Sequence, residues 1–151
     1  FVTYGLSRHV LDTHDPPLKP TCAVRMELLA CVSEAIPDAA IAYLLMSFGN
    51  AMLRKKQAPM SGEIIDWHTT IFEDPRFRYL YCTEPLLFPE GLAVFEGSSP
   101  ETVIAWLLPV TEAEAKYAMN VGFEKFNDLL RAERPDVFAF DRRAELWLPG
   151  K

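Results

Sequence analysis

The sequence predicts an α+β domain in which one mixed, largely antiparallel sheet packs against two long helices. Three observations support this prediction. Residues 22–32 alternate apolar and polar side chains, which is the pattern of a half-buried strand. Residues 37–57 and 111–130 each carry an apolar stripe at helical spacing. Between these two helices, turn residues separate short apolar runs, which is typical of strands.

The first 32 residues are expected to form two strands joined by a loop. Phe1–Leu6 is predicted to be a short strand that stops at Gly5-Leu6-Ser7. Residues 8–21 are predicted to be a loop, because they are mostly polar and contain several prolines. Cys22–Val32 is predicted to be the second strand, with Arg25 and Glu27 on its polar face. Its buried face should carry Val24, Met26, Leu28, Ala30 and Val32.

The first helix is predicted to run from about Pro37 to Gln57. Pro37 suits the first turn, where its missing N–H group costs no hydrogen bond. The basic run Arg54–Lys56 suits the last turn, because cations favour the negative end of the helix dipole. The stripe that should face the core consists of Ile41, Leu44, Leu45, Phe48 and Met52.

Four short strands are predicted between the helices, namely Ile64–Trp67, Tyr79–Thr83, Leu92–Phe95 and Thr102–Leu108. The run Val103–Leu108 is apolar at every position. We therefore expect this strand to lie at the centre of the sheet with both faces buried.

The second helix has the clearest local signal in the sequence. Thr111 and Glu114 fit a capping box, in which each side chain accepts a hydrogen bond from the backbone of the other residue. Glu114 is expected on the polar face, and a last strand is expected at Glu145–Leu148. The predicted apolar face carries Ala115, Met119, Gly122, Phe123, Phe126, Leu129 and Leu130.

Length and composition limit the possible function classes. The chain has 151 residues, of which 50% are hydrophobic and 24% are charged, so we expect residues 1–151 to form a single domain. Its 10 Phe, 5 Tyr and 3 Trp argue against a disordered chain. The net charge is −6 and neither half of the chain is basic, so we expect no binding to nucleic-acid phosphates.

The cytoplasm is the expected location. The 3 cysteines lack Cys-x-x-Cys spacing, which argues against a disulfide framework or a zinc knuckle. No apolar run reaches the length of a membrane helix, so no membrane span is expected. Because the chain opens with strand-like Phe1–Tyr4 rather than Met, we expect some upstream residues to be missing.

The sequence contains no recognisable catalytic, cofactor or metal motif. Gly5-Leu6-Ser7 departs from a nucleophile elbow, since His9 replaces the last glycine and a loop is expected in place of the helix. A Walker-type phosphate loop is also absent. The polar side chains of residues 9–15 include His9, Asp12, His14 and Asp15, which could offer metal ligands, but a solvated loop is the simpler interpretation.

Three other positions each leave two interpretations open. Cys82 is expected to be a buried thiol, although an enzyme that uses Cys82, or the acid pair Glu27 and Asp141, is a further hypothesis. If the sheet is covered on both faces, Glu27 needs a partner such as Arg25, Arg142 or Arg143. The run Asp141-Arg142-Arg143 is expected to be a structural ion-pair cluster or, alternatively, a ligand-recognition site.

The pair Trp67-His68 is the remaining candidate for binding. It could be an exposed anchor for a protein partner, because aromatic residues dominate binding hot spots. A packed Trp67 beside a surface His68 is the simpler interpretation.

Five segments in a fixed order resemble the Suppressor of fused family. Each is a weak motif alone, but their order and spacing across about residues 1–147 are specific. The segments are residues 1–7 (FVTYGLS), 25–29 (RMELL), 61–68 (SGEIIDWH), 106–114 (WLLPVTEAE) and 141–143 (DRR).

This resemblance implies a sheet domain with packed helices and no known catalytic activity or cofactor. The animal member regulates the hedgehog pathway and holds an extended segment of a transcription factor between two domains, of which this chain resembles only the first. Bacterial relatives of this size are thought to be immunity proteins that bind and neutralise toxins. The lead hypothesis is therefore a non-enzymatic protein-binding domain, and specifically a bacterial immunity protein. The alternative is a regulatory adaptor that sequesters a peptide segment.

The resemblance also indicates where a partner protein would bind. In the animal member the segment after the Gly-Leu-Ser turn contributes to binding, and here that segment is Arg8–Pro20. Val10 stands where an aromatic residue is expected, while Asp12 and Asp15 could meet a basic partner. The candidate partner-binding residues are therefore Val10, Asp12, Asp15, Glu27, Trp67 and His68.

Overall fold

The computed structural model describes residues 1–13, 23–33, 35–89, 91–139, 142 and 147–149. The strands within these ranges are β1 (Leu11–Thr13), β2 (Ala23–Leu29), β3 (Gln57–Ala58), β4 (Ile64–Asp66), β5 (Phe77–Thr83), β6 (Val94–Phe95) and β7 (Thr102–Thr111). The helices are α1 (Asp38–Lys55), α2 (Glu112–Val121) and α3 (Phe123–Glu133). None of these helices combines the length and apolarity that a membrane span requires.

The strands form one 7-stranded sheet, in the order β3-β1-β2-β7-β5-β4, with β6 paired to the start of β7. β1 and β3 are parallel, as are β2 and β7, and the other strand pairs are antiparallel. The prediction of an α+β fold with a mixed, largely antiparallel sheet is therefore confirmed.

The core has two layers, one on each face of the sheet. β7 is the central strand, and its side chains alternate between the layers as the sequence predicts. Ala105 and Leu107 pack with α1, whereas Trp106 and Leu108 pack with α2 and α3. Every residue of the predicted α1 stripe is buried. Because helices cover both faces, a polar side chain that points out of this sheet needs a hydrogen-bonding partner.

The capping box at the start of α2 is present and is joined to a buried ion pair. The backbone N–H of Thr111 donates to the Glu114 carboxylate at 2.7 Å, and the Glu114 N–H donates to the Thr111 hydroxyl at 3.2 Å. Arg142 Nε donates to the same carboxylate at 2.9 Å, and Arg142 also donates to the Pro109 carbonyl. Both charged side chains are buried, so Arg142 ties the C-terminal segment to β7 and α2.

This ion pair corrects one prediction and supports another. Glu114 was expected on the polar face of the helix, but its partner Arg142 allows it to be fully buried. The structural interpretation of the Asp141–Arg143 run is confirmed for Arg142. Asp141 and Arg143 themselves lie outside the described residues.

The prediction of two long helices is wrong, because the second one divides at Gly122. This residue has φ 87° and ψ 158°, which no α-helix accommodates, and glycine adopts that conformation at low cost. The break changes the orientation of the helical faces. Met119 and Phe123, which were predicted to face the core, are 61% and 46% exposed, while Phe126 and Leu130 are buried.

The chain termini also differ from the sequence-based predictions. Only Val2 of the predicted first strand forms a bridge, with Leu29, and the chain then turns through a 3-10 helix at Leu6–Arg8. The predicted loop 8–21 contains β1, which pairs with both β2 and β3. In the predicted last strand, Trp147 and Leu148 lie in a turn and a bend, and residues 145–146 lie outside the described ranges.

Candidate binding groove

The two terminal strands of the sheet, β3 and β4, line the same groove. This edge groove has a volume of about 660 Å³, and the C-terminal half of α1 lines it from one side. β3 and β4 stand at opposite ends of the strand order. They can reach one groove because the sheet curls around α1, as strongly twisted sheets do.

The floor of the edge groove is apolar. Phe48 from α1 and Trp67, which follows β4, stack with their ring centroids 6.0 Å apart. Met52, Met60 and Ile65 extend this surface. Thioether and aromatic side chains adapt well to the shape of an apolar ligand group. The floor is therefore suited to hold one bulky apolar side chain of a partner.

The outer edge of β4 offers backbone hydrogen-bonding groups to this groove. The Trp67 N–H group donates to the Arg78 carbonyl at 3.0 Å, so this residue pairs inward with β5. Alternate residues of an antiparallel strand point the other way, which directs the N–H and C=O groups of Ile64 and Asp66 outward. Among the described residues no further strand covers this edge. Such an edge can accept an extended segment as an additional strand.

An ion pair fixes the end of β4. Arg78 donates to both carboxylate oxygens of Asp66, at 2.8 and 2.7 Å. These hydrogen bonds, with one from the His68 N–H group, lower the pKa of Asp66 to about 2. His68 has a positive φ of 62°, and its side chain is 80% exposed beside the groove.

A network of hydrogen bonds surrounds the carboxylate of Glu27. One of its carboxylate oxygens accepts hydrogen bonds from the Gly5 N–H, the Ser7 N–H and the Ser7 hydroxyl, at 2.9, 2.9 and 2.6 Å. The other oxygen accepts from the Thr3 hydroxyl at 2.5 Å. Burial opposes ionisation of Glu27, but the hydrogen bonds from Ser7, Thr3 and Gly5 outweigh it and lower its pKa. Glu27 therefore holds the N-terminal turn in place on the sheet.

The N-terminal turn and α1 border a smaller groove of about 440 Å³. Tyr4 and Met46 line it and are 95% and 66% exposed. This N-terminal groove shares no lining residue with the edge groove.

Comparison with known proteins identifies the family. The family model described as Suppressor of fused protein (SUFU) matches residues 1–143, which is most of the chain. This chain belongs to the Suppressor of fused family. No curated protein matched the sequence.

Two solved structures of Suppressor of fused proteins share the fold. A homologue from Neisseria gonorrhoeae has a TM-score of 0.63 at 14% identity, over 83% of this chain and 65% of that one. A Sufu–Fu complex has a TM-score of 0.66 at 13% identity, over 99% of this chain and 74% of that one. The chain therefore spans slightly less than two thirds of the Neisseria homologue.

The structure brings only some of the predicted partner-binding residues together. Trp67 and His68 both line the edge groove. Asp12 lies one strand away, since β1 pairs it with Gln57 of β3. Val10 is 46% exposed just before β1. Asp15 lies outside the described residues.

Glu27 does not line the edge groove, and its carboxylate is instead bound to the N-terminal turn. The sequence suggested an arginine partner for this carboxylate, but its partners are Thr3, Gly5 and Ser7. Backbone N–H groups of a turn can also stabilise a carboxylate through charge-assisted hydrogen bonds. Its two oxygens are thus already engaged within the chain.

Cys82 and Ser7, which could act as nucleophiles, both lie in environments that lower their reactivity. Cys82 is buried, and desolvation raises the pKa of its thiol to about 12, which leaves almost no reactive thiolate at neutral pH. The Ser7 hydroxyl donates to Glu27, whose lowered pKa makes it a weak general base. Across the described residues, no group of His, Cys, Asp and Glu side chains is placed to hold a metal ion.

The contribution of α1 to the edge groove was not predicted from the sequence. Phe48 and Met52 were correctly predicted to face the core, and they also line the edge groove. Lys55 was interpreted only as a helix-ending cation, although it lines the groove. The available signal was the position of these residues at the last turns of the stripe, next to a short apolar run after the helix.

Proposed function

We propose that this chain is a non-enzymatic protein-binding domain that holds an extended segment of a partner protein in the edge groove. The observation that carries the proposal is the apolar groove between β3 and β4, with the outer edge of β4 beside it. Added strands gain affinity from backbone hydrogen bonds and specificity from side-chain pockets. The edge groove combines both features.

Membership of the Suppressor of fused family supports this proposal. One member of that family has been solved as a Sufu–Fu complex, so a protein partner is a natural expectation for this chain. The side chains discussed above give no comparable support for an enzyme, because the Cys82 thiol is buried and the Ser7 hydroxyl donates to Glu27. Our proposal includes neither a cofactor nor a nucleic-acid or membrane partner.

The specific role we propose is that of a bacterial immunity protein that neutralises a toxin by binding it. Its basis is the resemblance of the chain to bacterial relatives of this size, and a toxin-neutralising protein would act in the cytoplasm. In such a complex a few buried anchors supply most of the affinity, and a polar rim supplies specificity. Trp67 and the groove floor are the candidate anchors.

A regulatory adaptor is the second candidate. It is favoured by the likeness of the fold to the Sufu–Fu complex. An adaptor would sequester a segment of a regulatory factor, whereas an immunity protein would cover a toxin domain. The two roles can use the same groove, so the identity of the partner distinguishes them.

The test is to capture partners with the immobilised chain and to identify them by mass spectrometry. Three forms are compared, namely the wild type, Ala51→Trp and Ala113→Trp. Ala51 lines the edge groove, so a tryptophan there should fill it, whereas Ala113 is exposed at the start of α2. Thermal unfolding of each form establishes that the variants are folded.

We expect a stoichiometric partner that Ala51→Trp loses and Ala113→Trp retains. A toxin domain as partner supports the immunity role, and a DNA-binding factor supports the adaptor role. A partner retained by both variants would place binding outside the edge groove. Absence of any protein partner would contradict the proposed function.

A further inference from the structure

A cluster of three cations lies at the C-terminal end of α1, which borders the edge groove. Arg54, Lys55 and Lys56 end α1 with exposed side chains, and Lys55 lines the groove itself. None of the ion pairs in the described part of the chain involves these three residues. Within the part of the chain that the structure describes, no carboxylate therefore neutralises them by a direct ion pair.

Nearby negative charges offset this cluster only in part. The C-terminal end of α1 carries about half a negative unit charge from the helix dipole. The backbone N–H of Asp12 donates to the Lys56 carbonyl, which places one carboxylate residue beside the cluster. Asp66 is paired with Arg78, whereas Glu63 keeps its negative charge, because the Met60 N–H group that donates to it is neutral. Three cations set against Asp12, Glu63 and the helix dipole leave a small net positive charge, about half a unit, at the α1 end of the groove.

The apolar floor and the cationic cluster are close to each other because of helical spacing. Phe48, Met52 and Lys55 follow one another at four and three positions along α1, so they share one face. Met52 and Lys55 are separated by about 4.5 Å along the helix axis. In an extended segment, side chains on the same face are about 6.6 Å apart, at positions i and i+2.

We infer that the edge groove selects an extended segment with an acidic residue two positions away from a bulky apolar residue. This inference rests on the proposed function. The apolar side chain would sit on Phe48, Met52 and Trp67, and the carboxylate would meet Lys55. Because the whole chain has a net charge of −6, an acidic segment is repelled from most other surfaces. The cluster would therefore determine both where such a segment binds and in which register.

The probe for this inference is a random library of 12-residue peptides displayed on phage and selected on the full chain. The selection is repeated on Lys55→Glu, on Ala51→Trp and on Lys125→Glu. Lys125 is exposed on α3, and α3 covers the opposite face of the sheet, so its reversal makes the same change in net charge away from the groove. Circular dichroism and thermal unfolding check that each variant is folded.

We expect the wild type to enrich peptides with Asp or Glu two positions from an aromatic, Leu or Met residue. Binding of a synthetic peptide of this kind, measured by fluorescence anisotropy, should weaken tenfold or more with Lys55→Glu and should not change with Lys125→Glu. Lys55→Glu should itself enrich Lys or Arg at the position of the acid. Replacing the acid of the peptide by its amide should weaken binding to the wild type but not to Lys55→Glu.

The contrary outcomes separate this inference from the proposed function. Peptides that Ala51→Trp loses, but that show no acidic preference, overturn the inference and leave groove binding intact. Equal weakening by Lys55→Glu and Lys125→Glu also overturns it, because only bulk charge is then involved. A library that yields no peptide overturns the inference as well, while partner capture decides the proposed function independently.

Discussion

Glu27 shows how one side chain can organise a segment that lacks regular secondary structure. Its carboxylate accepts hydrogen bonds from three residues of the N-terminal turn, including two backbone N–H groups. This turn also places Leu6 against α1, where its methyl carbons lie beside Gly49. The resemblance to the Suppressor of fused family rests partly on this turn and partly on the segment that contains Glu27. The structure gives a physical reason for the two to occur together.

The substitution Glu27→Gln should therefore destabilise the protein, by about 1–3 kcal/mol at neutral pH. The pKa of Glu27 is lowered in the folded state, so its ionised form stabilises the fold above the ordinary value of 4.5. This contribution is lost as the pH falls through the folded-state pKa. Urea unfolding at neutral pH and at about pH 3 should show that the difference from the wild type shrinks in acid.

The matched control for this prediction is Glu96→Gln, since Glu96 is exposed on the loop after β6. It should leave the free energy of unfolding nearly unchanged at both pH values. An equal effect of the two substitutions would mean that the hydrogen bonds of Glu27 do not stabilise the turn.

The partners of single side chains were harder to predict where those partners are backbone groups. The sequence indicates that Glu27 needs a partner if the sheet is covered on both faces, and it offers Arg25, Arg142 and Arg143 as candidates. Backbone N–H groups leave no trace in a sequence, so the N-terminal turn could not be recognised as the partner of Glu27. By contrast, the pattern Thr111–Glu114 predicted the capping box correctly, because the two accepting side chains stand at a fixed spacing and the donors are their own backbone N–H groups.

Among the elements, the turn before β4 depends on its contact with α3. Gly62 has a φ of +91°, and a Cβ atom at this position would lie 2.3 Å from the Cβ of Phe123. Gly91 has nearly the same φ, +92°, but a Cβ atom there would meet nothing within 4 Å. The two glycines thus share the backbone strain that a side chain would cause, and only Gly62 adds a steric conflict.

We expect Gly62→Ala to be more destabilising than Gly91→Ala. Both should lose about 1–2 kcal/mol from the left-handed backbone conformation. Gly62→Ala should lose about 1–3 kcal/mol more, because α3 or the turn must move. Chemical denaturation of the two variants measures the difference directly. Equal losses would show that α3 yields without cost.

Helix periodicity explains why α1 was predicted correctly and the division between α2 and α3 was not. The stripe of α1 repeats without interruption, so the sequence predicted its boundaries to within two residues. The second stripe also continued through Gly122, and nothing in its spacing marked a break. A glycine within a helical pattern is compatible with either outcome, so only packing against the sheet decides it.

For the whole molecule, burial on both faces of the sheet determines the chemistry of Cys82. This residue lies in β5, beside the central strand β7. Its pKa of about 12 leaves about one thiol in ten thousand ionised near pH 8. A disulfide reagent should therefore label Cys82 only when the sheet opens.

Labelling in native buffer, followed by mass spectrometry of the modified site, tests this expectation. Cys82 should remain unmodified until denaturant approaches the unfolding midpoint. Cys31 is only partly buried and serves as the internal comparison, although burial raises its pKa too. Rapid modification of Cys82 in the native protein would reopen the hypothesis of a thiol enzyme.

The edge groove depends on how distant parts of the chain pack together, and this is why the sequence did not predict it. β3 and β4 become neighbours of one cavity only after the sheet has curled around α1. Trp67-His68 was identified because an aromatic residue after a strand is a local signal. Phe48 and Met52 carry no such signal, since a core stripe and a groove floor require the same side chains.

The central position of β7 also determines when the protein can assemble during synthesis. β1 can pair with β2, and β4 with β5, while the ribosome is still making the chain. In the described sheet, however, β7 alone joins β2 to β5, and about half of the chain separates Arg25 from its partner Thr102. Contacts between distant positions form slowly, because closing the intervening loop costs entropy. Until Thr111 has left the ribosome, α1 therefore has only an incomplete sheet to cover, and its apolar stripe is open to chaperones and to aggregation.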